Sequence, residues 1–259
     1  VGQSVKTPPF HGGRTGSIPV RATRTGLFSP VFFQPALSRS NTGNTLVTSN
    51  MNYRHIAVEG NIGAGKTALA QMLAAHYQAK LVLEAYADNN FLPKFYENPT
   101  AYAFPLELSF LAGRFTQLKA LPAQELFHDK IVTDYTFAKS KLFARINLGD
   151  DEYSLFRQLF DIMEPSLPTP DLLIYLHAPL HQLQRNIRHR GRAYEQQIAD
   201  DYLEQIQQVY QQYLKQESCK TIIIDMVNTD FLNQPDHFRQ LTDFLDKDYE
   251  FRQHYLAIN

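Results

Sequence analysis

Residues 60–67 carry the strongest chemical signal in the chain. They read Gly-Asn-Ile-Gly-Ala-Gly-Lys-Thr, which has the spacing G-x-x-x-x-G-K-T. Glycines let a backbone turn sharply and direct its N–H groups at an anion, the lysine can reach terminal phosphates, and the threonine hydroxyl can bind Mg²⁺. The pattern predicts a binding loop for a nucleoside triphosphate. Its predicted contacts are Gly60, Asn61, Ile62, Gly63, Ala64, Gly65, Lys66 and Thr67.

The segments on either side of this loop are those that a phosphate site requires. Residues 54–59 (RHIAVE), with Ile-Ala-Val at their centre, look like a short buried strand, and residues 68–75 contain strong helix formers without Gly or Pro. The positive end of that helix would then lie behind the loop. The alternative interpretation is a glycine-rich turn that binds no ligand.

Two acidic residues follow predicted strands further along the chain. Asp134 comes after Ile-Val-Thr and is placed to hold Mg²⁺, directly or through water, beside the Thr67 hydroxyl. Glu84 could accept the proton of an attacking hydroxyl, because a carboxylate needs only hydrogen-bond reach and a suitable pKa for that role. The alternative roles are a helix N-cap for Asp134 and an exposed strand-end acid for Glu84.

Arginines are concentrated after the fourth predicted strand. On a continuous helix Arg185, Arg188 and Arg192 share one face, at i, i+3 and i+7. Arg190 lies on a different face of such a helix, unless the flexible backbone of Gly191 interrupts the last turn. Because phosphoryl transfer needs cations that close over the transferring phosphate, the segment predicts an arginine-rich lid with a glycine hinge. A solvated basic helix face is the alternative.

The elements that would position these residues alternate along residues 51–259. Short apolar runs predict further strands at 80–84, 130–134, 172–177 and 220–225. Helical patterns lie between successive runs, so the sequence predicts an α/β fold with a doubly wound, five-stranded parallel sheet flanked by helices. Ligands bind at the carboxyl ends of the strands in such a sheet.

Composition and charge argue against several classes of function. The chain has 259 residues and a net charge of −1, but residues 1–50 carry five basic and no acidic side chains. The remainder therefore holds 20 basic and 26 acidic residues, a charge of −6, which argues against binding to a nucleic-acid duplex. No apolar run approaches the roughly 20 residues of a membrane span. The single cysteine excludes an internal disulfide and is typical of a cytoplasmic protein.

Residues 1–50 are rich in Pro, Gly, Ser and Thr, which predicts a disordered leader. The acid-free composition also suits an organellar transit peptide, although the prolines and glycines disfavour the amphipathic helix that such peptides need. A third hypothesis is that the segment is not natural coding sequence. Residues 13–21 can be back-translated around GGTTCGATTCC, which resembles the T-arm of a tRNA gene. Met51 would then be the true start, and the genomic sequence would decide.

Residues 51–259 resemble the deoxynucleoside kinases of the P-loop kinase superfamily, in particular the bacterial deoxyadenosine, deoxyguanosine and deoxycytidine kinases. The resemblance implies ATP-dependent phosphorylation of a deoxynucleoside 5′-hydroxyl with Mg²⁺. The motifs that carry it are the phosphate loop, Glu84, Phe95-Tyr96-Glu97-Asn98-Pro99, Asp134-Tyr135-Thr136, residues 170–176 (PDLLIYL) and residues 188–195 (RHRGRAYE).

The resemblance also implies individual roles. It makes Glu84 the general base and Asp134 the acid that holds magnesium. Tyr96 and Glu195 would hold the sugar 3′-hydroxyl, which favours a 2′-deoxyribose. A homodimer formed through helices flanking 100–165 is a further implication. The cations that act in catalysis would be Lys66, Arg188, Arg190 and Arg192.

Two residues depart from the family pattern. Tyr135 stands where the family usually has Arg, and Glu107 stands where a Gln usually reads the base. Glu107 and Arg114 are two helical turns apart on one face, so both are expected to line the base pocket. A Glu accepts where a Gln both donates and accepts, so the base preference does not transfer. Lys139 or Lys141 could supply the missing cation, although an exposed lysine is the simpler interpretation of either.

The sequence therefore predicts a cytoplasmic ATP:deoxynucleoside 5′-phosphotransferase of nucleotide salvage, with a small-molecule acceptor and no nucleic-acid or membrane partner. A nucleoside monophosphate kinase is the alternative within the same class, and it would need further cations for the acceptor phosphate. A nucleotide-binding regulatory module with an impaired acceptor site is the alternative from another class. Tyr135 and Glu107 keep that last alternative open.

Overall fold

The computed structural model describes residues 52–86, 89–121, 129–247 and 252–258. The three interpretations of residues 1–50 and the start at Met51 fall outside these ranges, so the domain boundary stays a prediction. Among the helices of the described part, none combines the length and the hydropathy of a membrane span.

Six strands lie within the described ranges: β1 (His55–Gly60), β2 (Lys80–Val82), β3 (Ile131–Thr133), β4 (Leu172–His177), β5 (Lys220–Asp225) and β6 (Gln253–Leu256). They form one parallel sheet in the spatial order β2-β3-β1-β4-β5-β6. The α/β class and the doubly wound sheet are confirmed, but the predicted count of five strands is one short. The missed strand β6 lies at the sheet edge and alternates exposed with half-buried residues, so it lacks the apolar run of a buried strand.

Helices cover both faces of the sheet. The α-helices of the described residues are α1 (Lys66–His76), α2 (Phe91–Glu97), α3 (Pro99–Lys119), α4 (Ala138–Asn147), α5 (Asp150–Met163), α6 (Leu180–Arg190), α7 (Asp200–Gln216) and α8 (Pro235–Leu245). One face packs against α1, α6 and α8, the other packs against α4 and α7, and a third apolar cluster joins α2, α3 and α5 beside β3.

Strand β4 shows why the sequence reads as continuous apolar runs. Successive side chains of a strand point to opposite faces, so a strand covered on both faces needs apolar residues throughout. Leu172 and Ile174 pack with the helices of one face, whereas Leu173 and Tyr175 pack with those of the other. All four are at most 2% exposed.

The two acids of the site lie just beyond their strands. The strand predicted at 80–84 ends at Val82, because its one partner strand ends at the facing residue Thr133. Beyond that point the Asp134 carboxylate accepts the backbone N–H of Glu84 at 2.7 Å. Side-chain hydrogen bonding thus replaces the strand ladder where the site begins.

Strand β1 lies between β3 and β4, so the connections that leave these strands diverge on either side of it. Such a switch point opens a crevice at the carboxyl ends of the strands. Residues 61–65 link β1 to α1 and therefore lie at the crevice.

Candidate active site

The motif at 60–67 forms a tight turn between β1 and α1. Gly63 has a φ of 82°, and a Cβ there would lie 2.8 Å from the Leu183 carbonyl oxygen, so conformation and packing both require glycine. Asn61 anchors the turn through a 2.8 Å hydrogen bond from Nδ2 to the Leu203 carbonyl oxygen. The first-turn N–H groups of α1 have no helical partner and can bind an anion. The predicted strand, loop and helix are all present.

Lys66 begins α1 and folds back across the turn. Its Nζ donates to the Asn61 carbonyl oxygen at 2.8 Å. Burial, followed by the nearby ammonium of Lys139, lowers the pKa of Lys66 from 10.5 to about 8. At pH 7 Lys66 is still protonated in most molecules, and a bound phosphate beside it would raise its pKa again. Lys66 is therefore well placed for phosphate.

Thr67 and Asp134 meet at the start of α1. Thr67 Oγ1 donates to Asp134 Oδ2 at 2.6 Å. The alternative role of Asp134 as a helix N-cap is wrong, because Phe137 occupies that position of α4. Hydroxyl and carboxylate oxygens are ligands that Mg²⁺ accepts. The donor set fits magnesium.

Glu84 is 13% exposed and lies between two cations. Its Oε1 accepts from Arg114 Nε at 2.7 Å and forms an ion pair with Arg114 Nη2 at 2.5 Å, and its Oε2 accepts from Lys139 Nζ at 2.5 Å. Burial raises the pKa of Glu84, but Arg114 and Lys139 outweigh burial and lower that pKa from 4.5 to about 2. The carboxylate is therefore ionised at physiological pH, and the alternative of an exposed acid is wrong.

Two cavities open at this edge of the sheet. The first, called the α3 cavity, runs along α3, and the second, called the phosphate-loop cavity, lies between the loop, α6 and residues 226–233. The two meet, because both are lined by Lys66, Thr67, Tyr86, Arg190 and Arg192. The predicted acceptor residues all line the α3 cavity: Glu84, Tyr96, Glu107, Arg114, Asp134 and Glu195.

The predicted lid begins on α6 and continues beyond it. Helix α6 ends at Arg190, and Gly191 follows with a left-handed φ of 72°, so the prediction that Arg192 shares a helical face with Arg188 is wrong. The turn instead brings Arg190 and Arg192 to one carboxylate, that of Glu195, with Arg192 Nη1 3.0 Å from Oε1. Arg188 is exposed and lies outside both cavity walls, so its role stays a prediction.

Tyrosines extend the contacts of the lid. The guanidinium carbon of Arg192 lies 3.8 Å from the ring centre of Tyr86, a cation–π contact. Tyr96 stacks on Tyr194 with ring centroids 5.9 Å apart. Burial, followed by the Glu195 carboxylate, raises the pKa of Tyr96, so its phenol stays neutral and can donate. Tyr96 and Glu195 thus offer a donor and an acceptor on one cavity wall.

Similarity to known proteins assigns this site to a family. The deoxynucleoside kinase family matches residues 56–248. This chain belongs to the deoxynucleoside kinase family. The deoxyguanosine kinase of Bacillus subtilis is 34% identical over 191 residues, which cover 71% of this chain and 92% of that enzyme. The deoxyadenosine/deoxycytidine kinase of the same species is 29% identical over 194 residues, which cover 73% of this chain and 89% of that enzyme.

A solved structure shares the fold. Deoxyadenosine kinase from M. mycoides with bound dATP superposes with a TM-score of 0.66 at 21% identity, covering 74% of this chain and 100% of that chain. Family membership makes this chain a kinase and a nucleotide-binding protein. The resemblance read from the sequence is confirmed.

Tyr135 departs from the deoxynucleoside kinase pattern, and the structure shows how the site is built around it. Its ring is fully buried, and its Oη donates to Gln117 Oε1 at 3.0 Å, so it belongs to the core. Lys139 is 6% exposed and reaches Glu84, so its interpretation as an exposed lysine is wrong. Lys141 lies over an aromatic ring of α5 instead. Lys139 is therefore the lysine beside Glu84 in this member of the family.

Glu107, the second departure, is 1% exposed on α3. Its Oε1 accepts from Asn147 Nδ2 at 2.7 Å, whereas its Oε2 is buried without a hydrogen-bond partner in the described part of the chain. Burial raises the pKa of Glu107 from 4.5 to about 7, although the Asn147 hydrogen bond and Arg114 oppose the shift. The side chain is therefore poised between its charged and neutral forms near neutral pH.

The raised pKa of the buried Glu107 carboxyl predicts that Glu107→Gln gains stability relative to the wild type as the pH rises. A carboxyl whose pKa is higher in the folded than in the unfolded state stabilises below about 4.5, and this contribution is lost as pH rises to about 7. Gln keeps the acceptor for Asn147 and carries no charge. The free energy of unfolding of the variant relative to wild type should rise by on the order of 3 kcal/mol between pH 4.5 and pH 8, measured by urea denaturation. A difference that does not change with pH would contradict the buried, titrating carboxyl.

Two features of the site were missed from the sequence. Phe143 and Asn147 line the α3 cavity together with Lys139, and the spacing of these two residues at i+4 and i+8 from Lys139 on α4 is a signal that could have found them. Glu59 carries no local signal. It is fully buried on β1, where its carboxylate accepts from Thr136 N and Oγ1 at 2.7 and 2.9 Å, and it ties β1 to the segment after Asp134.

Proposed function

We propose that this member of the family is a Mg²⁺-dependent ATP:deoxynucleoside 5′-phosphotransferase of nucleotide salvage. The observation that carries the proposal is the meeting of the two cavities at Lys66, Thr67 and the lid arginines. A phosphoryl group at that junction has ATP in the phosphate-loop cavity on one side and an acceptor in the α3 cavity on the other.

Glu84 is the proposed general base. A carboxylate offers about four lone-pair sites. Oε1 faces both Nε and Nη2 of Arg114, whereas Oε2 accepts one hydrogen bond, from Lys139, so the substrate 5′-hydroxyl would donate to Oε2. The proton passes to Oε2 while the hydroxyl oxygen bonds to the γ-phosphorus of ATP and the bond to ADP breaks. The low pKa of Glu84 is compatible with a loose transition state, in which little proton transfer is needed before the phosphorus leaves ADP.

The donor side is proposed to bind ATP through the loop at 60–67. Lys66 would bind the terminal phosphates, and Arg190 and Arg192 would neutralise charge on the transferring group. Thr67 and Asp134 would hold Mg²⁺, which would supply positive charge beside the phosphates of ATP.

The sugar is proposed to lie between Tyr96 and Glu195, with Tyr96 donating to the 3′-hydroxyl and Glu195 accepting from it. Glu195 also pairs with Arg190 and Arg192. Sugar binding and the position of the lid would therefore depend on one carboxylate, so a correctly bound acceptor would help to place the cations that act on ATP.

The charges of the α3 cavity favour a nucleoside over a nucleoside monophosphate as acceptor. Apart from Lys66, each described lysine or arginine that lines this cavity is already paired with Glu84 or Glu195. An acceptor phosphate would have to compete with these buried carboxylates for its cations.

ATP consumption with Mg²⁺, measured against the four deoxynucleosides and their 5′-monophosphates, tests the proposal. We expect turnover with a deoxynucleoside and none with a monophosphate. Turnover with monophosphates alone would select the monophosphate kinase. Tight ATP binding without turnover on either set would select the regulatory module.

The homodimer and the cytoplasmic location remain predictions of the sequence. Leu155 and Ile162 support the homodimer, because they are 49% and 77% exposed on α5, within the region predicted to dimerise.

A further inference from the structure

Glu107 carries an unsatisfied acceptor in the α3 cavity. Its Oε1 is engaged by Asn147, which is itself fixed by a 3.0 Å hydrogen bond from Tyr202 Oη. Its Oε2 is buried and has no hydrogen-bond partner among the described residues. A buried acceptor without a partner costs free energy, so this oxygen is suited to donors that arrive with a ligand.

Arg114 supplies donors on the same face of α3. A guanidinium has five N–H groups, and on Arg114 the Nε–H bonds to Glu84 and one Nη1–H bonds to Ser140, while Nη2 forms an ion pair with Glu84. The second N–H of Nη1 has no hydrogen-bond partner among the described residues and can bind a ligand. The cavity wall therefore offers acceptor sites on Glu107 together with a donor site on Arg114.

The bases of DNA differ in how they match such a wall. Adenine and thymine alternate donors and acceptors along their pairing edges, and cytosine presents one donor, its 4-amino group, beside two acceptors, N3 and O2. Guanine alone places two donors side by side, N1–H and the 2-amino group, next to the acceptor O6. A Gln at position 107 would offer one donor group and one acceptor, and an ionised Glu offers acceptors only.

We propose that Glu107 makes guanine the preferred base of this enzyme. The carboxylate receives N1–H and the 2-amino group through Oε2 and the remaining lone pair of Oε1, and an N–H of Arg114 binds O6. The inference rests on the proposed nucleoside kinase function and specifies its substrate class as 2′-deoxyguanosine and its close analogues.

The charges around Glu107 single it out as the group that titrates. Arg114 on α3 and Lys139 on α4 are cations, and the pKa of Glu84, after β2, is lowered to about 2. Burial raises the pKa of Tyr202 on α7 well above its usual range, so that phenol stays neutral. Glu107, with a pKa of about 7, must ionise to accept from guanine. Acidification from pH 8 to pH 6 should therefore weaken guanine binding more than adenine binding.

Base analogues test the inference on the wild-type enzyme. The values of kcat/KM are measured for 2′-deoxyguanosine, for 2′-deoxyinosine, which lacks the 2-amino group, and for 2,6-diaminopurine 2′-deoxyriboside, whose N1 is an acceptor. Relative to deoxyguanosine, we expect losses of about 10-fold for deoxyinosine and about 100-fold for the diaminopurine and for deoxyadenosine.

Glu107→Gln is the matched variant, because it keeps the shape of the side chain and its acceptor for Asn147. We expect the ratio of kcat/KM for deoxyguanosine over deoxyadenosine to fall by about 100-fold and its pH dependence between 6 and 8 to disappear. Glu204→Gln, an exposed exchange on α7, serves as the control and should leave the ratio unchanged.

The outcomes separate the two proposals. Wild-type preference for adenine or cytosine, or a base ratio that Glu107→Gln does not change, overturns the role of Glu107 and leaves the nucleoside kinase intact. Absence of turnover with every nucleoside overturns the proposed function and this inference together. The analogue series needs only wild-type protein, so it decides the matter even if the variant does not fold.

Discussion

Glu84→Gln should lower kcat by about 10²- to 10⁴-fold while changing ATP affinity by less than about twofold. Gln cannot accept the proton of the 5′-hydroxyl, and it no longer offers charge to Arg114 and Lys139. In the proposed arrangement ATP binds in the phosphate-loop cavity, on the other side of the junction, so the affinity for ATP should not change. Steady-state kinetics gives kcat, and calorimetric titration with ATP gives the affinity.

Two further measurements separate loss of the base from loss of structure. The melting temperature of the variant shows whether the unpaired cations unfold the site, and Glu204→Gln reports the effect of an exposed Glu-to-Gln exchange. Turnover equal to that of the wild type in folded Glu84→Gln would remove Glu84 as the base.

Glu195→Gln should lower kcat/KM for a 2′-deoxynucleoside by roughly 100-fold, because a hydrogen bond to a charged acceptor is lost and the pairing of Arg190 and Arg192 is weakened. The wild type should also discriminate against 2′,3′-dideoxynucleosides by roughly 100-fold, since these lack the hydroxyl that Glu195 would accept. In the variant that discrimination should largely disappear.

The values of kcat/KM for wild type and for Glu195→Gln, each measured with the deoxy and the dideoxy substrate, form a double-mutant cycle. The cycle isolates the contact between Glu195 and the 3′-hydroxyl. Tyr96→Phe, which keeps the ring and removes the donor, provides a second cycle for the same hydroxyl. Equal losses of kcat/KM for the deoxy and dideoxy substrates in Glu195→Gln would mean that Glu195 acts on the lid alone.

The parts of the site that were predictable from sequence depend on local constraints. The loop at 60–67 needs glycine for its backbone and a strand and a helix at its ends. The glycines, the strand pattern and the helix pattern can all be recognised within a window of about 20 residues. Asp134 and Glu84 were found because carboxyl ends of parallel strands share one edge of a sheet, so position after a strand is enough. Helix periodicity likewise placed Glu107 and Arg114 in one cavity.

The parts that were not predictable depend on contacts between distant segments. Lys139 looked like a surface lysine because its partner Glu84 lies 55 residues away. The lid was misread at Arg192 because the left-handed Gly191 ends the helix and redirects the chain toward Glu195. Strand β6 escaped detection because an edge strand does not need an apolar run.

The destination of the γ-phosphate of ATP is the most direct test of the proposed chemistry. The enzyme is incubated with γ-labelled ATP, Mg²⁺ and 2′-deoxyguanosine, and the labelled products are identified by chromatography and phosphorus NMR. We predict that the label appears in the 5′-monophosphate and that one ADP is formed for each molecule of labelled monophosphate. Label found in inorganic phosphate alone, or transferred only when a nucleoside monophosphate is supplied, would contradict a kinase whose acceptor is the 5′-hydroxyl held by Glu84.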